Sequence, residues 1–198
     1  MARTGLDGIQ YGVLDQNEKA EDRKKMPGAI EAKLDVSSEL TPLYADDGIY
    51  AVKSSGVSET KLELNLADLT TEMKRTLLGV KVVSGIELYH KDLEPPYVCI
   101  TWRQKHHEKG YVYYALLKGK FGIPSAEGKT KEDKVDFQTD TIEGQFLPRK
   151  EDGLVFLVGY DQNEGFSLDK FYKLAYELEH PEEEDQTEEE DQTVELGK

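Results

Sequence analysis

Residues 128–153, GKTKEDKVDFQTDTIEGQFLPRKEDG, decide the fold: a charged loop runs into a long strand pattern that ends in a polar turn, with nothing catalytic on it. Val135, Phe137, Thr139 and Thr141 alternate with polar or charged neighbours, the period of a strand with one face on a core and one in water. The alternation then continues on the other parity through Ile142, Gly144 and Phe146, which predicts a β-bulge near Thr141 and Ile142. Residues 148–153 form the turn, and residues 154–160, LVFLVGY, are expected to return as a strand buried on both faces.

Upstream, residues 8–15 read as a first strand, and a charged connection closes at Met26-Pro27-Gly28. Ile30, Ala32, Leu34 and Val36 then alternate with Glu31, Lys33 and Asp35, the cleanest amphipathic strand in the chain. Residues 37–57 are a long connection of weak periodicity before alternation resumes at Leu62, Leu64 and Leu66. Structureless loops beyond about 12–15 residues are uncommon in compact domains. Leu43, Tyr44, Ile49, Tyr50 and Val52 are too apolar for a disordered linker, so a protruding hairpin is expected, its apolar side against a partner. The alternative is that Tyr44 and Tyr50 pack on their own domain while Asp46 and Asp47 shape a turn.

Residues 68–78, DLTTEMKRTLL, carry a cap at Asp68 or Thr70, Glu72 in the first turn and Gly79 after the end, which predicts a short helix. Residues 81–90, 97–103 and 110–118 follow as three strands rich in Val, Ile, Tyr and Trp. Residues 167–178, SLDKFYKLAYEL, have Ser167 as a possible cap and an apolar stripe including Phe171 and Tyr172; a helix and an extended arm onto a neighbouring subunit both remain open.

One folded domain over residues 1–180 is expected, large enough to bury a core without disulfides or metals. The single cysteine, Cys99, lies in an apolar run and reads as a buried structural thiol. The N-terminal residues lack the apolar stretch of a signal peptide and no run approaches a membrane span, so folding in a cytoplasm is expected. Of the net charge of -15, residues 181–198 hold nine carboxylates and one lysine, or -8, leaving -7 on the remainder. The tail repeats EEEDQT and is expected to be disordered. An acidic surface without a basic stripe disfavours specific nucleic-acid binding.

Chemical signals fail on inspection. For Gly128-Lys129-Thr130 to be a phosphate-binding loop, a glycine is needed where Ile123 stands, and a helix should follow where a strand pattern does. His106 and His107 fall in a charged turn expected to be solvated, and His90 and His180 are isolated. Asp46 and Asp47 lack the further ligands of a metal site or a calcium loop. No serine sits in a nucleophile elbow, so neither an enzyme nor a cofactor is expected.

Taken in order, Pro27-Gly28-Ala29, the Tyr-Ala-Asp-Asp of residues 44–47, the helix ending Leu78-Gly79, the aromatic strand pair of residues 96–102 and 111–117, and GKTKED with its R-x-E-D-G-L turn resemble the major tail tube proteins of siphophages, the long-tailed, non-contractile bacteriophages. The resemblance covers about residues 5–178. It implies a mainly β, sandwich or barrel-like fold with one or two short flanking helices, a protruding loop and a C-terminal arm. It also implies a structural virion protein of stacked hexameric rings, a conduit for DNA, with a tape measure protein, a tail tip or initiator complex and a tail terminator as partners. The loop, with Leu43, Tyr44, Asp46, Asp47, Ile49, Tyr50 and Val52, and the C-terminal segment, with Phe171 and Tyr172, are the expected contacts between rings or subunits. Some members continue into an immunoglobulin-like domain where this chain has its acidic tail. The competing reading is a monomeric β-sandwich binding or decoration module, with Tyr111, Tyr113 and Tyr114 as its aromatic patch.

Overall fold

The computed structural model describes residues 3–38, 40–45, 48–54, 56–125 and 139–181. Val135, Phe137, the Gly128-Lys129-Thr130 run, Asp46, Asp47 and nearly all of the acidic tail therefore lie outside the described residues.

The fold is mainly β. Its central sheet contains β1 (Arg3–Val13), β2 (Lys24–Lys25), β3 (Ala29–Ser37), β6 (Glu59–Leu66), β9 (Val98–His106), β10 (Tyr111–Phe121), β11 (Asp140–Phe146) and β12 (Phe156–Tyr160). The order is β2-β1-β9-β10-β11-β6-β3, with β12 also on β10, and every pairing is antiparallel. The sheet curls until β1 approaches β3. Inside the curl lie Leu62, Leu64 and Leu66 of β6, Val98, Ile100 and Trp102 of β9, and Leu116, Ile142 and Phe146. Trp102 stacks on Tyr114 across β9 and β10, ring centroids 5.2 Å apart.

Helix α1 (Thr71–Leu78) plugs one end of the curl with Met73, Leu77 and Leu78. Thr70 is its N-cap, accepting from the Met73 N–H, and Gly79 ends it at φ 72°, a conformation that favours glycine. The C-terminal segment is a helix, α2 (Leu168–Glu177), capped by Ser167. It docks Phe171, Ala175 and Tyr176 on the outer face of β9 and β10, against Cys99, Tyr113, Ala115 and Leu117. Those two strands are therefore buried on both faces.

Four expectations need correction. Strand β11 runs against β6 in one unbroken register from Asp140 to Phe146, so there is no bulge at Thr141 and Ile142. The irregularity sits on β10 instead, between Leu116 and Gly119, where one extra residue faces β9. Strand β12 does not return along β11: both lie on the same edge of β10, end to end, β12 against Val112–Leu116 and β11 against Gly119–Phe121. Paired only with β10 among the described residues, β12 is only partly buried, with Val158 54% exposed. Residues 81–90 form a short hairpin, β7 (Lys81–Val83) with β8 (Ile86–Leu88), because Ser84 and Gly85 both take positive φ, 51° and 79°, and turn the chain. Finally, β3 keeps its alternation but gains little burial: Ile30 is left out of register at a bulge, and Ile30 and Val36 are exposed on the open edge of the sheet.

Candidate assembly interface

Within the expected hairpin segment, β4 (Leu40–Ala45) pairs with β5 (Gly48–Ser54) as a separate two-stranded sheet. Cross-strand partners point to the same face. The register therefore places Leu40, Pro42, Tyr44, Ile49 and Val52 on one side, with Tyr50 as an extra residue at the bulge. Leu40, Tyr44, Ile49 and Tyr50 are 66%, 67%, 63% and 75% exposed. Neither tyrosine packs back on the domain. An isolated two-stranded hairpin is marginal in water, and this one offers its apolar side chains to solvent.

Two further surfaces are open in the isolated chain. Among the described residues the outer edge of β3 has no partner strand, and β2, two residues long, covers only part of the opposite edge along β1. Unpaired edges of this kind are templates for strand addition. The solvent face of β3, β6 and β11 is charged: Lys33 stands opposite Glu63, which stands opposite Glu143.

Inside the subunit, charge fastens the crossover from β11 to β12 where the two strands fork from β10. Leu147 N–H donates to the Lys118 carbonyl at 2.8 Å, and Leu117 N–H donates to the Val155 carbonyl at 3.0 Å. Between them, Arg149 is fully buried, bound to the Asp152 carboxylate and donating to the Leu174 carbonyl of α2 at 2.8 Å. Lys118, almost buried, pairs with Glu18 at 2.5 Å, and Glu18 also accepts from Lys150 N–H at 2.8 Å. Burial would push both carboxyls up, but the hydrogen bonds from Arg149 and Leu154 N–H hold Asp152 below its usual range, and those from Lys118 and Lys150 do the same for Glu18. The R-x-E-D-G-L turn is thus a clamp, with Gly153 at φ 70° allowing the bend.

The family described as phage tail tube protein matches residues 1–177. The chain belongs to the phage tail tube protein family. That family is structural and non-enzymatic. Two solved structures resemble this tail tube protein at low identity. One is a chain of the sheath-tube complex of an extracellular contractile injection system, PVC, in the extended state, with 11% identity over 79% of this chain and 91% of that one, TM-score 0.48. The other is a chain of the sheath/tube terminator of the same system, with 10% identity over 80% of this chain and 98% of that one, TM-score 0.47. No curated protein matches.

In this tail tube protein the reactive side chains are occupied structurally. Cys99 is buried under α2, its thiol pushed far up by burial and donating weakly to the Ala175 carbonyl at 3.4 Å. Against expectation, His106 is not solvated: it is 5% exposed at the end of β9, with the rings of His107 and Tyr160 4.6 and 5.0 Å away. Tyr113 and Tyr114 are buried on opposite faces of β10, so they form no exposed aromatic patch with Tyr111. Among the described residues no group of three or more His, Cys, Asp or Glu is placed to hold a metal.

The residues expected at contacts divide. Leu43, Tyr44, Ile49, Tyr50 and Val52 share the exposed hairpin; Asp46 and Asp47 lie outside the described residues. Phe171 packs inside its own subunit against Tyr113 and Phe166, and Tyr172 is half-buried beneath the Arg23 guanidinium, 4.9 Å away. Sequence reasoning missed the second exposed hairpin, β7–β8, whose Ser84-Gly85 pair was the available signal.

Proposed function

We propose that the chain polymerises as stacked hexameric rings into the tail tube of a long-tailed, non-contractile phage, and that the lumen conducts DNA during ejection. The observation that carries this reading is the β4–β5 hairpin, whose apolar side chains are exposed in the subunit and gain burial only in an assembly. The open edges of the central sheet support it. Strand addition between the β3 edge of one subunit and the β1–β2 edge of the next would close the sheets into a ring. Phe171 keeps no free face for such contacts, which leaves the hairpin and Tyr172 as the candidates among the described residues.

The wall facing DNA is assigned to the charged face of β3, β6 and β11, with Glu31, Glu63 and Glu143. An acidic wall repels phosphates and lets the polymer slide rather than gripping it through counterion release. A tape measure protein would fill the lumen before ejection, with a tip complex nucleating and a terminator closing the tube. The subunit would assemble in the host cytoplasm and reside in the virion.

The test is light scattering on purified protein with negative-stain electron microscopy over time, repeated with added tail-tip complexes. Rings or tubes with a central hole are expected; a monomer that persists even with the tip complex present overturns the reading.

A further inference from the structure

Strand β12 bonds to β10 with one side of its backbone only. Leu117 N–H donates to the Val155 carbonyl at 3.0 Å and Asp161 N–H donates to the Tyr111 carbonyl at 3.1 Å, so residues 155, 157, 159 and 161 turn their backbone groups toward β10. In an antiparallel ladder such residues alternate with ones that bond on the other side. Phe156, Val158 and Tyr160 therefore direct their N–H groups away from β10, where no strand meets them among the described residues. The carbonyls of Phe156 and Val158 point the same way. On the inner face, Phe156 and Tyr160 pack against the core while Val158, between them, is 54% exposed.

Open edges are ordinarily guarded by charge. Strand β2 is Lys24-Lys25, and β3 alternates Glu31, Lys33 and Asp35. Either strand laid antiparallel on its own copy about its centre sets like charges opposite each other, which is destabilising. Residues 154–160, LVFLVGY, carry no charge and no proline, although 33% of the chain is charged. This edge can meet its own copy without such a conflict.

We infer that β12 pairs antiparallel with β12 of a second copy of this chain, about a two-fold axis at Val158. The two copies of Val158 exchange both backbone hydrogen bonds and bury each other's side chains. Phe156 of one copy stands opposite Tyr160 of the other, an aromatic cross-strand pair, and Leu157 stands opposite Gly159. A contact of this kind is isologous and closes on itself. The product is a dimer of the free subunit that does not grow, separate from the polymer contacts proposed above.

Sedimentation equilibrium on the purified full chain, without tip complexes and below any concentration at which tubes appear, tests this. The mass should climb with concentration from the 22.4 kDa of one chain toward twice that value. Val158→Lys sets two ammonium groups together at the axis and should weaken the dimer at least about tenfold, with the melting temperature unchanged because the side chain is half in solvent. Val158→Cys should form a disulfide-linked dimer under mild oxidation, since an exchanged pair brings its Cα atoms to about 5.5 Å, within disulfide reach. Val83→Cys, as exposed but on β8's partner strand β7, is the control, and the native Cys99 is buried. A mass of one chain at every concentration overturns the pairing. So does a dimer that Val158→Lys leaves intact, or disulfide formation no faster for Val158→Cys than for Val83→Cys. Each of these failures leaves the polymer reading standing, and a failure to form tubes on tip complexes would leave the dimer standing.

Discussion

The guanidinium of Arg149 donates through Nη1 to the carbonyl oxygen of Leu174 at 2.8 Å, joining the β11–β12 crossover to the last turn of α2. A cation there complements the helix dipole and satisfies a carbonyl that the helix leaves unpaired. The same guanidinium holds Asp152, which is almost as buried. Removing one partner of a buried ion pair leaves the other charge uncompensated, at about 3–5 kcal/mol. Arg149→Met should therefore lower the melting temperature by on the order of 10 °C for a domain of this size. A change of a degree or two in thermal unfolding would show that the clamp carries little.

The same clamp makes stability depend on acid. Asp152 and Glu18 titrate below their ordinary values of 3.8 and 4.5 in the folded chain. The unfolded chain thus takes up their protons first, so their contribution is complete above about pH 5 and drains away as pH falls through 4.5 and then through the lower folded values. Urea unfolding at a series of pH values should show stability falling on the acid side. Asp152→Asn and Glu18→Gln should each be less stable at pH 7 and show a shallower fall. Parallel profiles for parent and variants would remove these groups as the cause.

Cys99 offers a probe of how α2 moves. Its thiol is buried and held protonated, so an aromatic disulfide reagent at pH 8 reaches it only when α2 lifts from β9. Labelling in native buffer should be slower than for a free thiol by orders of magnitude. Arg149→Met should accelerate it more than Leu77→Ala does, since Leu77 lies in the other core, even where the two are matched in global stability. Equal acceleration would mean that α2 opens only with the whole domain.

Much of this architecture was legible before the structure. Alternation marked Leu62, Leu64 and Leu66 as an inward face, capping chemistry marked α1, and apolar residues in an otherwise irregular stretch marked the β4–β5 hairpin. What escaped was long-range. Strand β12 lies beside β10 rather than β11 because the Arg149–Asp152 turn redirects the chain, and a charged turn does not announce in sequence that it will be buried. The burial of His106 likewise depends on Tyr160, brought against it by that redirected strand. The half-exposed face of β3 looked like ordinary core, since periodicity reports which residues share a face and not what covers it.

Gly119 sits at the fork where β10 exchanges β12 for β11. A Cβ there would overlap the Phe146 ring and come within 2.6 Å of the Gln145 carbonyl oxygen, which belongs to the backbone and cannot step aside. Gly119→Ala should cost about 1–3 kcal/mol as β11 is forced off β10. Gly122→Ala, whose Cβ would meet only the Glu143 carbonyl at 3.7 Å, should be near neutral. Denaturant midpoints for the two variants check the contrast, and equal values would mean that β11 has room to shift.

The assignment of the lumen rests on charge and is tested by charge. Glu63 and Glu143 face each other across β6 and β11 on the exposed side of the sheet, away from Leu62, Leu64 and Ile142. Replacing both with lysine changes the charge of each subunit by four units without touching the core. Repeated around every ring, this would turn a repelling wall into one that binds phosphate through counterion release, a sequence-independent attraction that weakens steeply with salt. Virions carrying Glu63→Lys and Glu143→Lys should assemble tails of ordinary length yet eject DNA more slowly, and raising the salt concentration should restore the rate. Unchanged ejection from well-formed tails would place this face on the outside of the tube.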